Sequence, residues 1–380
     1  MLKIEVVRED EKTFYSHKKV KIRGKSFKTP IKAINLRYFK SDIKLNWEEY
    51  VGEVYKTFTK EKLIELVSGK VESRDRLNKD IKRALHNVPS KSTPIIFVPA
   101  LKTFEVTDSE LDFIRDTESV FDFYVPPTVE RVHKVATVKD IERYFSIVES
   151  FLEKAEGSKQ RKPIMGLIPI TLPPVKISEL LDLYFEHGIK AFCLDFAGRT
   201  PFTHYQQISQ IQNLLHQKDV DAFIYSVNVN IGKPSKKSSE ILAQDVLSFG
   251  LGLDAIADNH LGTRDYGVEE KISDLRLFNK DDYAYQKVGL KEVEEIYPED
   301  TAVPLKTLTS QSKKKRMAAQ KLFNYEQIGI ETERVRIALE EDVLKYVSNK
   351  RLVANSSKLK ILTKVKQLKS VDLISFLKSL

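Results

Sequence analysis

Three stretches decide the fold: Ile189-Lys-Ala-Phe-Cys-Leu-Asp195, Asp221-Ala-Phe-Ile-Tyr-Ser-Val-Asn-Val-Asn230 and Leu253-Asp-Ala-Ile-Ala-Asp-Asn-His260. Each begins as a compact apolar run and ends in polar residues able to act chemically. These are Asp195, then Asn228 and Asn230, then Asp258 with Asn259 and His260. Helix-like segments, Tyr205 to His216 and Ser238 to Phe249, lie between them. Short apolar strands alternating with amphipathic helices predict βαβ units and a parallel sheet covered on both faces. Where such strands close into a barrel, their C-terminal ends form one mouth, and these polar residues converge on it.

The same alternation extends toward the N-terminus. Val20 to Phe27 alternates apolar and polar residues around a glycine turn, and Thr29-Pro30-Ile-Lys-Ala-Ile34 opens another strand. Trp47 to Leu66 reads as a helix from the spacing of Tyr50, Val54, Phe58 and Leu63, and Val71 to Asn87 as an exposed, highly charged one. Pro94 to Pro99 and Val120 to Pro126 are strands, the second ended by its Pro-Pro. Thr137 caps a helix that runs from Ile141 to Glu156 and stops at Gly157. Pro163 to Pro169 is a further strand, and Ser178 caps a helix over Glu179 to His187. Counting from Ile31 gives seven or eight barrel strands. Neither G-x-G-x-x-G nor G-x-x-x-x-G-K-[ST] occurs, which favours a TIM (β/α)8-type barrel over a doubly wound sheet. The expected organisation is an α/β barrel over residues 1–305, with an N-terminal extended segment, followed by a basic helical region over 306–380.

Composition narrows the function. A hydrophobic share of 41% and a charged share of 31% suit a globular protein. No apolar run approaches the roughly 18 residues that span a membrane, and no signal-peptide pattern opens the chain, so the cytoplasm is the expected compartment. The single cysteine, Cys193, excludes an internal disulfide and a multi-cysteine zinc site, and no H-x-x-x-H pair occurs. No metal and no cofactor are expected. The net charge of +9 favours polyanionic partners. It concentrates at Lys313, Lys314, Lys315 and Arg316, and over 350–380, where eight Lys or Arg face one acid, Asp372. Lys358, Lys360 and Lys364 recur there with Leu359, Ile361, Leu362 and Val365, a pattern that predicts an amphipathic helix with a cationic face toward a phosphate backbone.

Asp258, at the end of a buried strand, has the placement of a nucleophile or base, oriented by Asn259 or His260. Asp195 has the same placement two strands earlier, with Arg199 four residues on to pair with it or to hold a phosphate. Asn228 and Asn230, two apart, share a strand face and can read a base or ribose edge. Each also has a purely structural reading: Asp258 and Asn259 as turn caps, the asparagines as satisfiers of barrel backbone.

In order and spacing, Phe27-Lys-Thr-Pro30, Pro163-Ile-Met-Gly-Leu-Ile168, Gly188-Ile-Lys-Ala-Phe-Cys-Leu-Asp-Phe-Ala-Gly198 and Gly252-Leu-Asp-Ala-Ile-Ala-Asp258 resemble the tRNA-guanine transglycosylase family, over roughly Val20 to Arg264. The resemblance implies a TIM barrel that exchanges guanine for a 7-deazaguanine in tRNA, with relatives that act on DNA, through a covalent Asp–ribose intermediate. It implies Asp258 as the nucleophile, with one extra residue in the motif. The family's Asp-Ser-Gly-Gly-Phe-Gln segment falls at Ile95 to Ala100, which holds no acid, and its zinc ligands are missing. Asp195 is then the candidate replacement acid/base, and Asn228, Asn230, Asn259, His260 and Arg199 the candidate substrate ligands. The resemblance points to a pentosyltransferase acting on tRNA or DNA. The departures point instead to a non-catalytic nucleic-acid-binding or partner subunit, within a homo- or hetero-oligomer. A third reading is a barrel enzyme for a phosphorylated metabolite, with Arg199 and Arg264 as anion ligands.

Overall fold

The structure, a computed structural model, describes all residues except 40–43, 48, 89, 135, 234–239, 262–273 and 368–380. Eight parallel strands follow one another around a barrel: β1 (Ile31–Asn35), β2 (Val51–Phe58), β3 (Ile95–Leu101), β4 (Thr128–Val129), β5 (Met165–Pro169), β6 (Ala191–Asp195), β7 (Phe223–Val227) and β8 (Ala255–Ile256). β8 pairs back onto β1 through Ala255 and Ile31. The remaining seam, between β4 and β5, is joined by a parallel bridge from Tyr124 to Ile164. The expected α/β barrel is therefore the observed one. Strands β5 to β8 are buried along their whole length, which is why they read as continuous apolar runs, and Cys193 is one of their buried small side chains.

The N-terminal segment is a three-stranded antiparallel meander, Leu2–Glu9, Ser16–Ile22 and Lys25–Lys28, turning at Arg23-Gly24. It closes the N-terminal end of the barrel. Lys18 reaches Asp254 at 2.8 Å just ahead of β8, and Phe27 packs edge-on against Phe223. Asp254 and Asp258, four residues apart, thus serve opposite ends of the barrel.

Several elements differ from expectation. Trp47 to Leu66 is not one helix: Val51–Phe58 is β2, and Thr59 caps a separate helix, Lys60–Val67. The i, i+4 apolar spacing suggested a helix, but the run is rich in β-branched and aromatic residues and pairs between β1 and β3. Val120 to Pro126 is not a strand: Glu118–Val120 is a 3-10 turn, Tyr124 makes a single bridge, and the ladder with β3 forms past the Pro-Pro, at Thr128 and Val129. Ser178 lies inside the helix Pro174–Glu186, whose first turn is set by its N-terminal proline. Of Ser238 to Phe249, residues 238–239 lie outside the described residues. The remainder is a short strand, Ile241–Leu242, one helical turn, Gln244–Leu247, and a 3-10 turn, Ser248–Leu251. The tail is not one amphipathic helix. It breaks into Arg351–Ala354, Ser357–Leu362 and the 3-10 turn Val365–Gln367, and Ser356 caps the second piece. The last of these packs beside the helix Tyr205–Gln217, where the Ser209 hydroxyl donates to the Val365 carbonyl.

The long helix Lys313–Ala338 lies against β1 and runs antiparallel to it. Near its C-terminal end Arg336 donates to the Pro30 carbonyl below β1, whereas Lys321 and Tyr325 reach the mouth. The helix N-terminus therefore projects past the rim. Among the described residues, no helix is long and apolar enough to cross a membrane.

Candidate functional site

The mouth is built from the ends of β1, β2, β4 and β6 to β8. At its centre Asp195, 1% exposed, ends β6. Its Oδ2 accepts from Thr128 Oγ1 at 2.9 Å and lies 3.0 Å from His133 Nε2. Its Oδ1 accepts from Asn228 Nδ2 and from the Ala197 N–H, both at 2.9 Å. Burial opposes ionisation of this carboxyl. The charge and hydrogen bond of His133, with the Asn228 amide and the Ala197 N–H, outweigh burial and hold its pKa down to about 2. The other ring nitrogen of His133, Nδ1, lies 3.2 Å from the Thr171 hydroxyl. The result is an aspartate–histidine pair clamped from β4, β5 and β7.

Asp258, just past β8, is an ion-pair hub. Its Oδ1 is 3.3 Å from Lys32 Nζ. Its Oδ2 takes Lys321 Nζ at 2.7 Å and the Tyr325 hydroxyl at 2.5 Å. Burial again opposes ionisation, and the two lysine charges and the Lys321 and Tyr325 hydrogen bonds outweigh it, so the carboxyl lies well below the usual carboxylate range. Asp258 is ionised at neutral pH, with both oxygens engaged.

His260 forms a third pair. Its Nε2 is 2.5 Å from Glu53 Oε1, and the Tyr225 hydroxyl bonds the other Glu53 oxygen. The Tyr55 ring stacks on the imidazole, 4.5 Å between centroids and 1° from parallel. Burial lowers the pKa of His260, but the charge and hydrogen bond of Glu53 outweigh this and raise it. Asn228 ties the three groups together. Its side chain bonds Asp195, its Oδ1 accepts from the His260 N–H at 3.1 Å, and its own N–H donates to the Asp258 carbonyl at 3.0 Å. It does so in the left-handed region, φ 56°, which asparagine tolerates better than most residues.

Asp195, Asn228, Asp258 and His260 thus converge as strand order predicts. Asn230 does not share their face. β7 ends at Val227, the chain turns at Asn228, and the Asn230 side chain accepts from the Gly232 N–H. Asn259 likewise caps its own turn at the Leu261 N–H. Arg199 donates to the His133 carbonyl at 3.2 Å rather than to Asp195. Arg264 lies outside the described residues.

Lys313, Lys314 and Lys315 are exposed in the first turn of the rim helix, where the helix dipole disfavours cations. Arg316 is instead buried, its guanidinium donating to the Ser310 and Gln311 carbonyls. Lys314 is seven residues before Lys321, hence on the same helix face and about 10 Å further out along the axis. In the tail, Lys358 lies over the Phe202 ring, while Lys360 and Lys364 are exposed on the barrel's flank.

Thr128, His133, Lys32, Lys321, Tyr325, Glu53 and Tyr55 belong to the site and carry no strand-end signature in the sequence. Glu53 and Tyr55 were hidden by the helical spacing of β2. Lys32 and Lys321 come from segments almost 290 residues apart that only the closed barrel brings together. No family model matches the chain, and no curated protein matches it.

Proposed function

We propose that the mouth is a glycosyl-transfer site for a purine nucleoside in tRNA or DNA, with Asp258 as the nucleophile. The observation that carries this reading is the convergence on one mouth of two ionised carboxylates, Asp195 and Asp258, with Asn228 bonded to the side chain of the first and to the main-chain carbonyl of the second. Displacement at C1′ needs one carboxylate against the developing ribosyl cation and a second group to manage the proton of the departing base. An Asp258 oxygen bonds to C1′ as the bond from C1′ to the base nitrogen breaks. His133, held by Asp195, gives that nitrogen a proton. An incoming base then loses its proton to His133 and displaces Asp258. Lys32, Lys321 and Tyr325 orient Asp258 and stabilise it as the leaving carboxylate. Exposed Lys313, Lys314 and Lys315 place positive charge where a nucleic-acid backbone would cross the rim.

A second reading has its own support. Both oxygens of Asp258 already have cationic or hydroxyl partners, which suits a barrel that binds nucleic acid or a partner subunit without catalysing exchange. Incorporation of labelled guanine into tRNA and duplex DNA, with mass spectrometry for a protein–nucleic acid adduct, separates the two. The first reading expects exchange and an adduct, both lost in Asp258→Asn. Binding without exchange or adduct in the wild type sinks it in favour of the second.

A further inference from the structure

β1 stops at Asn35, opposite Glu53, while β2 continues to Phe58 alongside β3. The barrel wall therefore has a gap at the mouth between β1 and β2. A cavity of about 370 Å³ occupies it and reaches outward to the helix Val71–His86. Its inner end is Glu53, Tyr55 and His260, and its outer wall is apolar, with Leu77, Ile81 and Ala84. Around it stand four charged side chains: Arg37, Lys56, Asp80 and Arg83. Lys56 and Asp80 neutralise each other at 2.7 Å, as His260 and Glu53 do inside. Arg37 and Arg83 are exposed, and neither makes an ion pair among the described residues. The cavity thus carries two uncompensated guanidinium groups, the fork geometry that suits a phosphate.

The outer helix extends this charge. Arg76, Lys79 and Arg83 recur at intervals of three and four, so they share one face, and all three are exposed. None was singled out by the basic clusters of the chain, which lie elsewhere.

We infer that this gap is a phosphate-binding site in which Arg37 and Arg83 hold the phosphate of a nucleotide whose sugar and base enter the mouth beside Tyr55 and His260. The inference deepens the glycosyl-transfer reading and rests on it only for the identity of the nucleoside. The phosphate comes either from a free nucleotide or from a strand whose next phosphates follow Arg76 and Lys79.

Isothermal titration of the full chain with inorganic phosphate, guanosine 5′-monophosphate and a short single-stranded oligonucleotide tests it. The double variant R37A/R83A should weaken all three by about tenfold or more, whereas K190A, exposed just before β6 at the end of the barrel opposite the mouth, should change none. R37Q and R83Q, tested singly, should each weaken phosphate and cover the case in which the double variant is unstable. R76A/K79A distinguishes the sources: a strand predicts weaker oligonucleotide binding and a flatter salt slope, and a free nucleotide predicts no change. Wild-type affinity for phosphate and nucleotide in the arginine variants, or no binding by the wild type at millimolar ligand, overturns the site. Phosphate binding without base exchange leaves this site standing and removes only the glycosyl-transfer reading. Exchange without phosphate binding does the reverse.

Discussion

Asn228 donates its side-chain amide to Asp195 at 2.9 Å from a backbone at φ 56°, so one strained residue orients the buried carboxylate of the neighbouring strand. The same side chain accepts from the His260 N–H. Asn228→Ala removes both bonds and places alanine in the left-handed region. It should cost about 2–4 kcal/mol in urea-monitored unfolding. A loss below about 1 kcal/mol would mean that the mouth does not depend on this residue.

Asp195 makes stability pH-dependent with a defined sign. Its folded pKa, about 2, lies below the usual 3.8, so its contribution is complete above about pH 4 and is lost as the pH falls through 2. The size is about 2 kcal/mol. Urea midpoints between pH 2 and 5 should show this slope in the wild type and a shallower one in Asp195→Asn. Parallel profiles would assign the acid lability to other carboxylates.

Lys32 is 4% exposed, and Asp258 is its only carboxylate partner among the described residues. Asp258→Asn should therefore destabilise the protein by about 3 kcal/mol through the stranded buried ammonium. Adding Lys32→Met should recover more than half of that in thermal melts. If the double variant is no more stable than the single one, the cost lies in the Tyr325 and Lys321 contacts instead. This measurement also shows whether lost exchange in Asp258→Asn reflects chemistry or folding.

Gly329 packs face to face with the indole of Trp47, and a Cβ there would collide with the ring. Gly329→Ala should cost about 3 kcal/mol by overpacking. Trp47 is the only tryptophan in the chain and is buried, so its emission should shift to longer wavelength as the ring is displaced. Unchanged emission and stability would show that the long helix can move off β1 freely.

The C-terminal pieces behave as barrel wall. Val353, Leu362 and Val365 are fully buried, and Lys350 bonds the Lys280 carbonyl and the Tyr346 hydroxyl. Each apolar side chain contributes about 1.5–3 kcal/mol, which together approaches the whole margin of a folded domain. Deleting 350–380 should leave little cooperative unfolding in calorimetry. A truncated chain with a wild-type melting temperature would contradict this packing.

The barrel was legible because its physics is local. Buried parallel strands must be short and apolar, and their helices must alternate, so Ala191–Asp195 and Phe223–Val227 could be located from residue order alone. For the same reason Asp195, Asn228, Asp258 and His260 could be placed on one mouth. β2 escaped because its apolar residues satisfy a period of four by coincidence, and with it went Glu53 and Tyr55. What Asp195 and Asp258 face was decided only by closure of the barrel. The carboxylate of Asp258 meets Lys32 from the first strand and Lys321 from the last long helix, and Asp195 meets His133 from a turn after β4. Such pairings depend on distance through space, and no periodicity along the chain encodes it. The burial of Arg316 has the same origin, as do the two guanidinium groups at the gap between β1 and β2 that make no ion pair among the described residues. Composition counts charges, but only packing determines which of them are already paired.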